Sequence, residues 1–252
     1  MEKLSVVIIA FNEERDIAWC LESVRAIADE VLVLDSFSTD RTEAICRKFG
    51  ARFEQHRFDG YVSQKNRALQ MASNDLVLSL DADEALSEEA RIAILAIKKN
   101  REHDGFYFKR LNSWCGHQMR HTSWYPDRKL RLFDRSRARW TGIDPHDEVM
   151  MEHGSRLFRL DAGILHRTVH SLAEHREKTE KFARISAQFY FDRQIKSGWG
   201  SALTHSAWRW FREYCVLLGF LDGKAGWQVA RFSAIYVWKK YSYLRKLYGN
   251  RR

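Results

Sequence analysis

Two carboxylates flank one small residue at Asp81-Ala82-Asp83, directly after the apolar run 75–80. Alternate residues on an extended chain point the same way, so both carboxylates can approach one hard cation, directly or through water. Oxygen-only donors suit Mg2+ or Mn2+ better than zinc. Such an ion commonly completes its shell with substrate phosphates, which points to a nucleotide diphosphate. Two more polar clusters follow apolar runs: Asn12-Glu13-Glu14 after 4–10, and Asp35-Ser-Phe-Ser-Thr-Asp40 after 30–34. Taken singly, each cluster reads as a solvated turn or a helix cap. They become one site only if the fold brings those strand ends to a common edge.

The elements that would do this can be read from the periodicity. Residues 4–10 are a β-branched run of strand length. After a polar turn, Ile17, Leu21 and Val24 recur at helical spacing within 14–27. Residues 30–35 repeat the buried-strand pattern, and 40–49 read as a helix capped by Ser38, Thr39 or Asp40. A helix over 62–72 and a strand over 75–80 follow, and Ser87-Glu88-Glu89 opens a further helix with a cap and first-turn carboxylates. This β-α-β-α order predicts an α/β fold, a mostly parallel Rossmann-like sheet between helices, with ligands beyond the carboxyl ends of the strands. Strands over 105–110 and 129–133 are expected as insertions or antiparallel additions. From about Ser171 the pattern is helical, which divides the chain into a catalytic domain, 1–170, and a helical, basic and aromatic extension, 171–252.

Four ordered motifs carry a resemblance: Ser5-Val-Val-Ile-Ile-Ala-Phe-Asn-Glu13, Val33-Leu-Asp35-Ser-Phe-Ser-Thr-Asp40, Gln64-Lys-Asn-Arg-Ala68 and Leu80-Asp-Ala-Asp-Glu84. Together they resemble the family 2 glycosyltransferases, inverting enzymes of the GT-A fold. Trp124-Tyr-Pro-Asp-Arg-Lys-Leu-Arg-Leu-Phe133 and Pro145-His146-Asp147 are similar to the bacterial branch that builds the lipopolysaccharide core, of the heptose β-1,4-glucosyltransferase type. The resemblance implies that Ala10, Phe11, Asn12 and Glu13 border the nucleotide sugar together with Asp81 and Ala82. It gives Asp35 the base or ribose, a role a carboxylate can fill by accepting from a uracil N3–H or a ribose hydroxyl. Lys65 is assigned to the diphosphate or the base pocket. Asp81 and Asp83 would hold Mg2+ or Mn2+, with His166 facing the diphosphate or completing the metal site. Members of this branch often carry Val-His-Glu where this chain has Pro-His-Asp, so Asp147 stands in the place of the general base, with Glu148 beside it as the alternative. Tyr125, Arg131 and His146 are implied on the acceptor side. The implied reaction is metal-dependent transfer of a sugar, glucose foremost, from a UDP-linked donor to a lipopolysaccharide core or related envelope glycolipid. A transferase of the same fold with a peptide or lipid-carrier acceptor is the alternative.

Charge and cysteine usage narrow the remaining classes. The net charge is +9, but the segment from Trp199 to Arg252 holds ten Lys/Arg against Glu213 and Asp222, a net of +8. That segment also contains thirteen of the thirty-three aromatic residues. Such a tail suits peripheral contact with an anionic inner-membrane face. The other reading makes it a helical cap on the catalytic body or the contact face of a homo-oligomer. A basic nucleic-acid-binding protein is the remoter alternative function, since nucleic acid would also suit the tail, but it leaves the acidic crevice without a purpose, so no nucleic-acid partner is expected. The four cysteines lie far apart with no CxxC pair, and the first apolar run is too short for a signal peptide. The expected location is therefore cytoplasmic, peripheral on the inner membrane.

Overall fold

The computed structural model describes every residue except 144, 145, 197 and 250–252, and at 143, 146 and 199 the backbone only. The chain forms two compact units. One comprises Met1–Leu111 and Asp127–His166; the other comprises Asn112–Pro126 and the chain from Arg167 onward.

The first unit is built on three runs that are apolar on both faces: β1 (Leu4–Ala10), β2 (Glu30–Asp35) and β4 (Leu76–Asp81). They pair in parallel, β1 in the centre, and the short β3 (Arg52–Gln55) extends the parallel set beyond β2. Side chains alternate across a strand, so each face of β1 needs its own cover. Leu4, Val6 and Ile8 pack with Ile17, Leu21 and Val24 of α1 (Ile17–Val24) and Ile94 of α4 (Glu88–Lys99). On the opposite face, Val7 packs with Ala68 and Leu69 of α3 (Tyr61–Met71). Ser87 caps α4 through its hydroxyl, which accepts from the Ala90 N–H, as the sequence predicts. The cap of α2 (Thr42–Lys48) is an Asp40 carboxylate that accepts from the Thr42 N–H at 2.9 Å.

Antiparallel strands complete this sheet in the order β3-β2-β1-β4-β8-β6-β11-β5. Here β5 is Glu84–Leu86, β6 is Gly105–Trp114, β8 is Asp127–Asp134 and β11 is Leu157–Val169. The pairings of β8 with β4 and with β6 are antiparallel, matching the two expected additions. A separate antiparallel pair, β9 (Ala138–Ile143) and β10 (His146–Met151), was not predicted, nor were β3, β5 and β11.

The second unit is helical, with β7 (His117–Gln118) pairing against the end of β6. Ser171 and Glu174 cap α5 (Leu172–Asp192) reciprocally: the Ser171 hydroxyl accepts from the Glu174 N–H, and the Glu174 carboxylate accepts from the His170 N–H. Ala187, Ala202, Val237, Tyr241 and Leu244 form its main core. These come from α5, α6 (Trp199–Phe211) and α7 (Gly223–Gly249).

Candidate active site

Strand register gathers the polar clusters. Ala10, the last residue of β1, lies opposite Asp35, the last residue of β2, and Ile9 lies opposite Asp81, the last residue of β4. The three clusters are therefore neighbours along the carboxyl edge of one sheet, where a doubly wound fold holds its ligands. The loops behind β1 and β2 are stitched together. Asn12 takes the left-handed conformation, φ +55°, which asparagine tolerates better than most residues. Its N–H donates to the Ser38 hydroxyl at 2.7 Å, and its side-chain oxygen accepts from the Thr39 N–H at 2.8 Å. Buried Asp35 accepts from the Ser38 N–H at 2.7 Å and from Gln55 Nε2 at 3.3 Å, and so shapes the turn beyond it. Phe11 and Phe37 stand exposed on these two loops.

Beyond β4 opens a cleft of about 360 Å3, lined by Lys65, Asp81, Arg131, Trp140, Asp147 and Glu148 among others. Its floor is a chain of alternating charges. Lys65, from α3, places Nζ 2.8 Å from Asp81 Oδ1 and 2.7 Å from Asp147 Oδ2. Arg131, from β8, donates through Nη2 to Asp81 Oδ2 at 2.8 Å and to Glu84 Oε1 at 2.6 Å. Glu84 is 0% exposed and also accepts from the Asp81 N–H at 3.1 Å. Arg110 lies 3.6 Å from Glu84 and forms a two-pronged pair with Asp127, at 2.7 and 2.6 Å.

Trp140 supports the chain from one side. Lys65 Nζ stands 4.4 Å from its ring centroid, and Asn66 of α3 clasps its backbone, donating to the carbonyl and accepting from the N–H, both at 2.9 Å. Burial alone would raise the Asp81 carboxyl, but Lys65, then Arg131, outweigh it and hold the group well below the usual carboxylate range. Asp81 is thus a fixed anion already claimed by two cations. Beneath it, burial together with Glu84, Asp83 and Asp81 pushes the Cys20 thiol well up, which keeps it protonated and inert.

Asp83 faces elsewhere. The chain turns at 82–83, and Asp83 Oδ2 comes to 3.3 Å from His166 Nε2 on β11. The carboxylate is a donor suited to Mg2+ or Mn2+, whereas the imidazole is a softer donor that departs from the oxygen-only set expected from the sequence. No group of three His, Cys, Asp or Glu around one point occurs among the described residues. A metal ion bound here would take at most these two side chains from the described residues and would need phosphate and water for its remaining positions. The expectation that Asp81 points at the same cation meets a carboxylate whose two oxygens face Lys65 and Arg131.

The other expected residues distribute as follows. Asp147 and Glu148 line the cleft, Asp147 against Lys65. Arg131 lies in the charged floor. Pro145 and the His146 side chain lie outside the described residues. Tyr125 belongs to the second unit. Sequence reasoning missed Arg110 and Trp140. Neither belongs to a motif, and only the alternation along their strands hints that they face the cleft.

Comparison with known proteins gives one consistent answer. Residues 5–162 match the profile described as Glycosyl transferase family 2. An uncharacterized glycosyltransferase of Rickettsia conorii is 29% identical over 235 residues, 89% of this chain and 83% of its own length. The lipopolysaccharide core biosynthesis glycosyltransferase LpsC of Rhizobium meliloti is 28% identical over 201 residues, 77% of this chain and 73% of its own. Among solved structures, S. aureus TarS superposes with a TM-score of 0.50 at 16% identity, over 95% of this chain and 55% of that one. Glucosyl-3-phosphoglycerate synthase from Mycobacterium tuberculosis, solved with phosphoglyceric acid, also gives 0.50, at 18% identity over 78% of this chain and 82% of that one. At these identities the structural likeness concerns the fold, which is GT-A.

Proposed function

Because the chain belongs to Glycosyl transferase family 2, we propose that it is an inverting glycosyltransferase moving a hexose, glucose foremost, from a UDP-linked donor to a lipopolysaccharide core or related envelope glycolipid. The observation that carries this reading is the assembly of Lys65, Asp81 and Asp147 beside the carboxyl edge of β1, β2 and β4. The similarity to LpsC supports the acceptor class. A cytoplasmic location on the inner membrane goes with that acceptor; no helix among the described residues is long and apolar enough to cross a membrane.

In this mechanism the nucleotide lies along the loops behind β1 and β2, with Asp35 and Asn12 fixing their shape and Phe11 and Phe37 offering flat faces to the base. Asp83 and His166 would hold a divalent ion, whose chemistry there would be to neutralise charge on the diphosphate leaving group. Lys65 orients Asp147 through Oδ2. The acceptor hydroxyl attacks the anomeric carbon from the face opposite the diphosphate. Its proton passes to Asp147 Oδ1 as the new C–O bond forms and the bond to the phosphate oxygen breaks. A single displacement inverts the anomeric centre. Asp81, neutralised by Lys65 and Arg131, holds these two cations in place. The donor and acceptor are thereby held in reacting geometry, which supplies much of the acceleration.

The test is a panel of UDP-, GDP-, ADP- and CMP-activated sugars, read by thermal shift and nucleotide release with and without Mn2+. Ligand that binds only the native state raises its melting temperature. UDP-glucose is expected to give the largest rise, dependent on Mn2+ and lost in Asp83→Asn. If no nucleotide sugar shifts the melting temperature, the reading fails.

A further inference from the structure

The second unit carries an exposed apolar and cationic surface that the proposed reaction steps do not invoke. From α6 to the start of α7 it turns large apolar side chains outward: Leu203, Trp208, Phe211, Leu218, Leu221 and Trp227 are exposed, Trp208 by 58% and Leu221 by 57%. On α6 the spacing of Leu203, Ala207 and Phe211, with Trp208 alongside, makes one stripe. The chain leaves α6 through a π turn over Arg212–Val216 and a 3-10 turn over Gly219–Asp222. Ring contacts then join this segment to α7, Trp210 to Trp227 at 5.5 Å and Tyr214 to Trp227 at 5.3 Å, while Tyr214 also meets Phe220 of the 3-10 turn at 6.3 Å. On α7 the exposed Lys224, Trp227, Arg231 and Trp238 share a face by their spacing.

The electrostatics of this surface are one-sided. Glu213 and Asp222 are the only acids from Trp199 to the end of the chain, and they are 0% and 6% exposed. Glu213 accepts from the Ser123 N–H at 2.7 Å and lies 3.0 Å from Arg209. Asp222 accepts from the His121 N–H at 2.9 Å and from the Arg120 N–H. Both carboxylates are therefore spent on internal contacts. Lys224 and Arg231 stand exposed among aromatic and aliphatic side chains, with no exposed carboxylate on this stretch to balance them.

We propose that this face docks peripherally on an anionic lipid bilayer. Aliphatic side chains and tryptophans would enter the headgroup boundary, and the cations would sit among acidic headgroups. A second copy seated on the same face would set Lys224 and Arg231 against their own images with no acid between them. Nucleic acid would use the rings and the cations, but Leu203, Leu218 and Leu221 offer it no π face. The proposal does not depend on the donor or the acceptor: vesicle binding without sugar transfer would leave it standing while the functional reading fell, and the reverse result would do the opposite.

The experiment is co-sedimentation of the full chain with phosphatidylethanolamine vesicles, with and without phosphatidylglycerol, beside sedimentation of the chain alone. Binding is expected only with phosphatidylglycerol and should weaken as salt is raised. Trp208→Gln/Leu221→Gln should weaken it at least about tenfold. Lys224→Ala and Arg231→Ala should each cost roughly fivefold at low salt. All of these positions are exposed, so circular dichroism and melting temperature should match the parent, and UDP-glucose thermal shifts should be unchanged. Vesicle binding indifferent to phosphatidylglycerol or to the apolar variants would overturn the proposal. So would the absence of vesicle binding together with a dimer that Trp208→Gln/Leu221→Gln dissolves, which would assign the face to a second copy.

Discussion

Lys65 reaches two carboxylates from elements far apart in the chain, and this explains why the division of labour between Asp81 and Asp83 is invisible in the sequence. The spacing Asp-Ala-Asp announces a pair of anions. Only the fold reveals that Lys65 and Arg131 claim the first, while the second turns toward His166. Two predictions belong to this scale. Arg131→Met leaves the fully buried Glu84 without its closest cation, and unfolding titration should register a loss of about 3–5 kcal/mol. Glu84→Gln/Arg131→Met should recover part of that loss, because the uncompensated charge is gone. Asp147→Asn removes the proposed proton acceptor while keeping its shape. Steady-state kinetics should show kcat lower by roughly 10²–10⁴-fold with the donor KM little changed. A KM that rises while kcat holds would move Asp147 from proton transfer to binding.

Elements were legible where one period governed a whole run. β1, β2 and β4 are continuous apolar stretches because both faces of the sheet are covered, and their register then carried Ala10, Asp35 and Asp81 to one edge. The strands that escaped notice lack that signal. Arg52-Phe-Glu-Gln55 is an edge strand of mixed polarity, and β11 begins with exposed residues at 157–159.

In the second unit, an alanine Cβ at Gly226 of α7 would lie 1.8 Å from the Gly219 carbonyl oxygen, a backbone atom that cannot swing aside. Gly226→Ala should therefore lower stability by about 1–3 kcal/mol or more, measured as a fall in melting temperature. His175 on α5 accepts from Trp114 Nε1 at 3.0 Å through Nδ1, which must be unprotonated to do so. Burial, helped by Lys178 and opposed by Glu174, lowers its imidazole from 6.5 to about 4. Between those values only the unfolded chain takes up the proton. The contribution of His175 to stability is thus complete above pH 6.5 and is lost as pH falls toward 4, worth about 3 kcal/mol in all. Unfolding titrations at pH 7 and pH 4.5 should show the smaller pH dependence in His175→Gln.

For the whole molecule, the segregation of charge was readable by counting, and its meaning was not. The acids of the tail are interior, so the outward-facing chain from α6 onward is more uniformly cationic than its composition suggests. The first unit has the opposite arrangement, with acids at its sheet edge paired to cations that approach from α3 and β8. That pairing would let an acidic edge receive the phosphate-bearing donor proposed above. The most direct measurement is amide hydrogen exchange of the full chain with UDP-glucose and Mn2+. A donor held at the carboxyl edge of the parallel strands should slow exchange in peptides covering 10–14, 36–40 and 81–84. Unchanged exchange in all three, with protection elsewhere in the chain, would contradict the account.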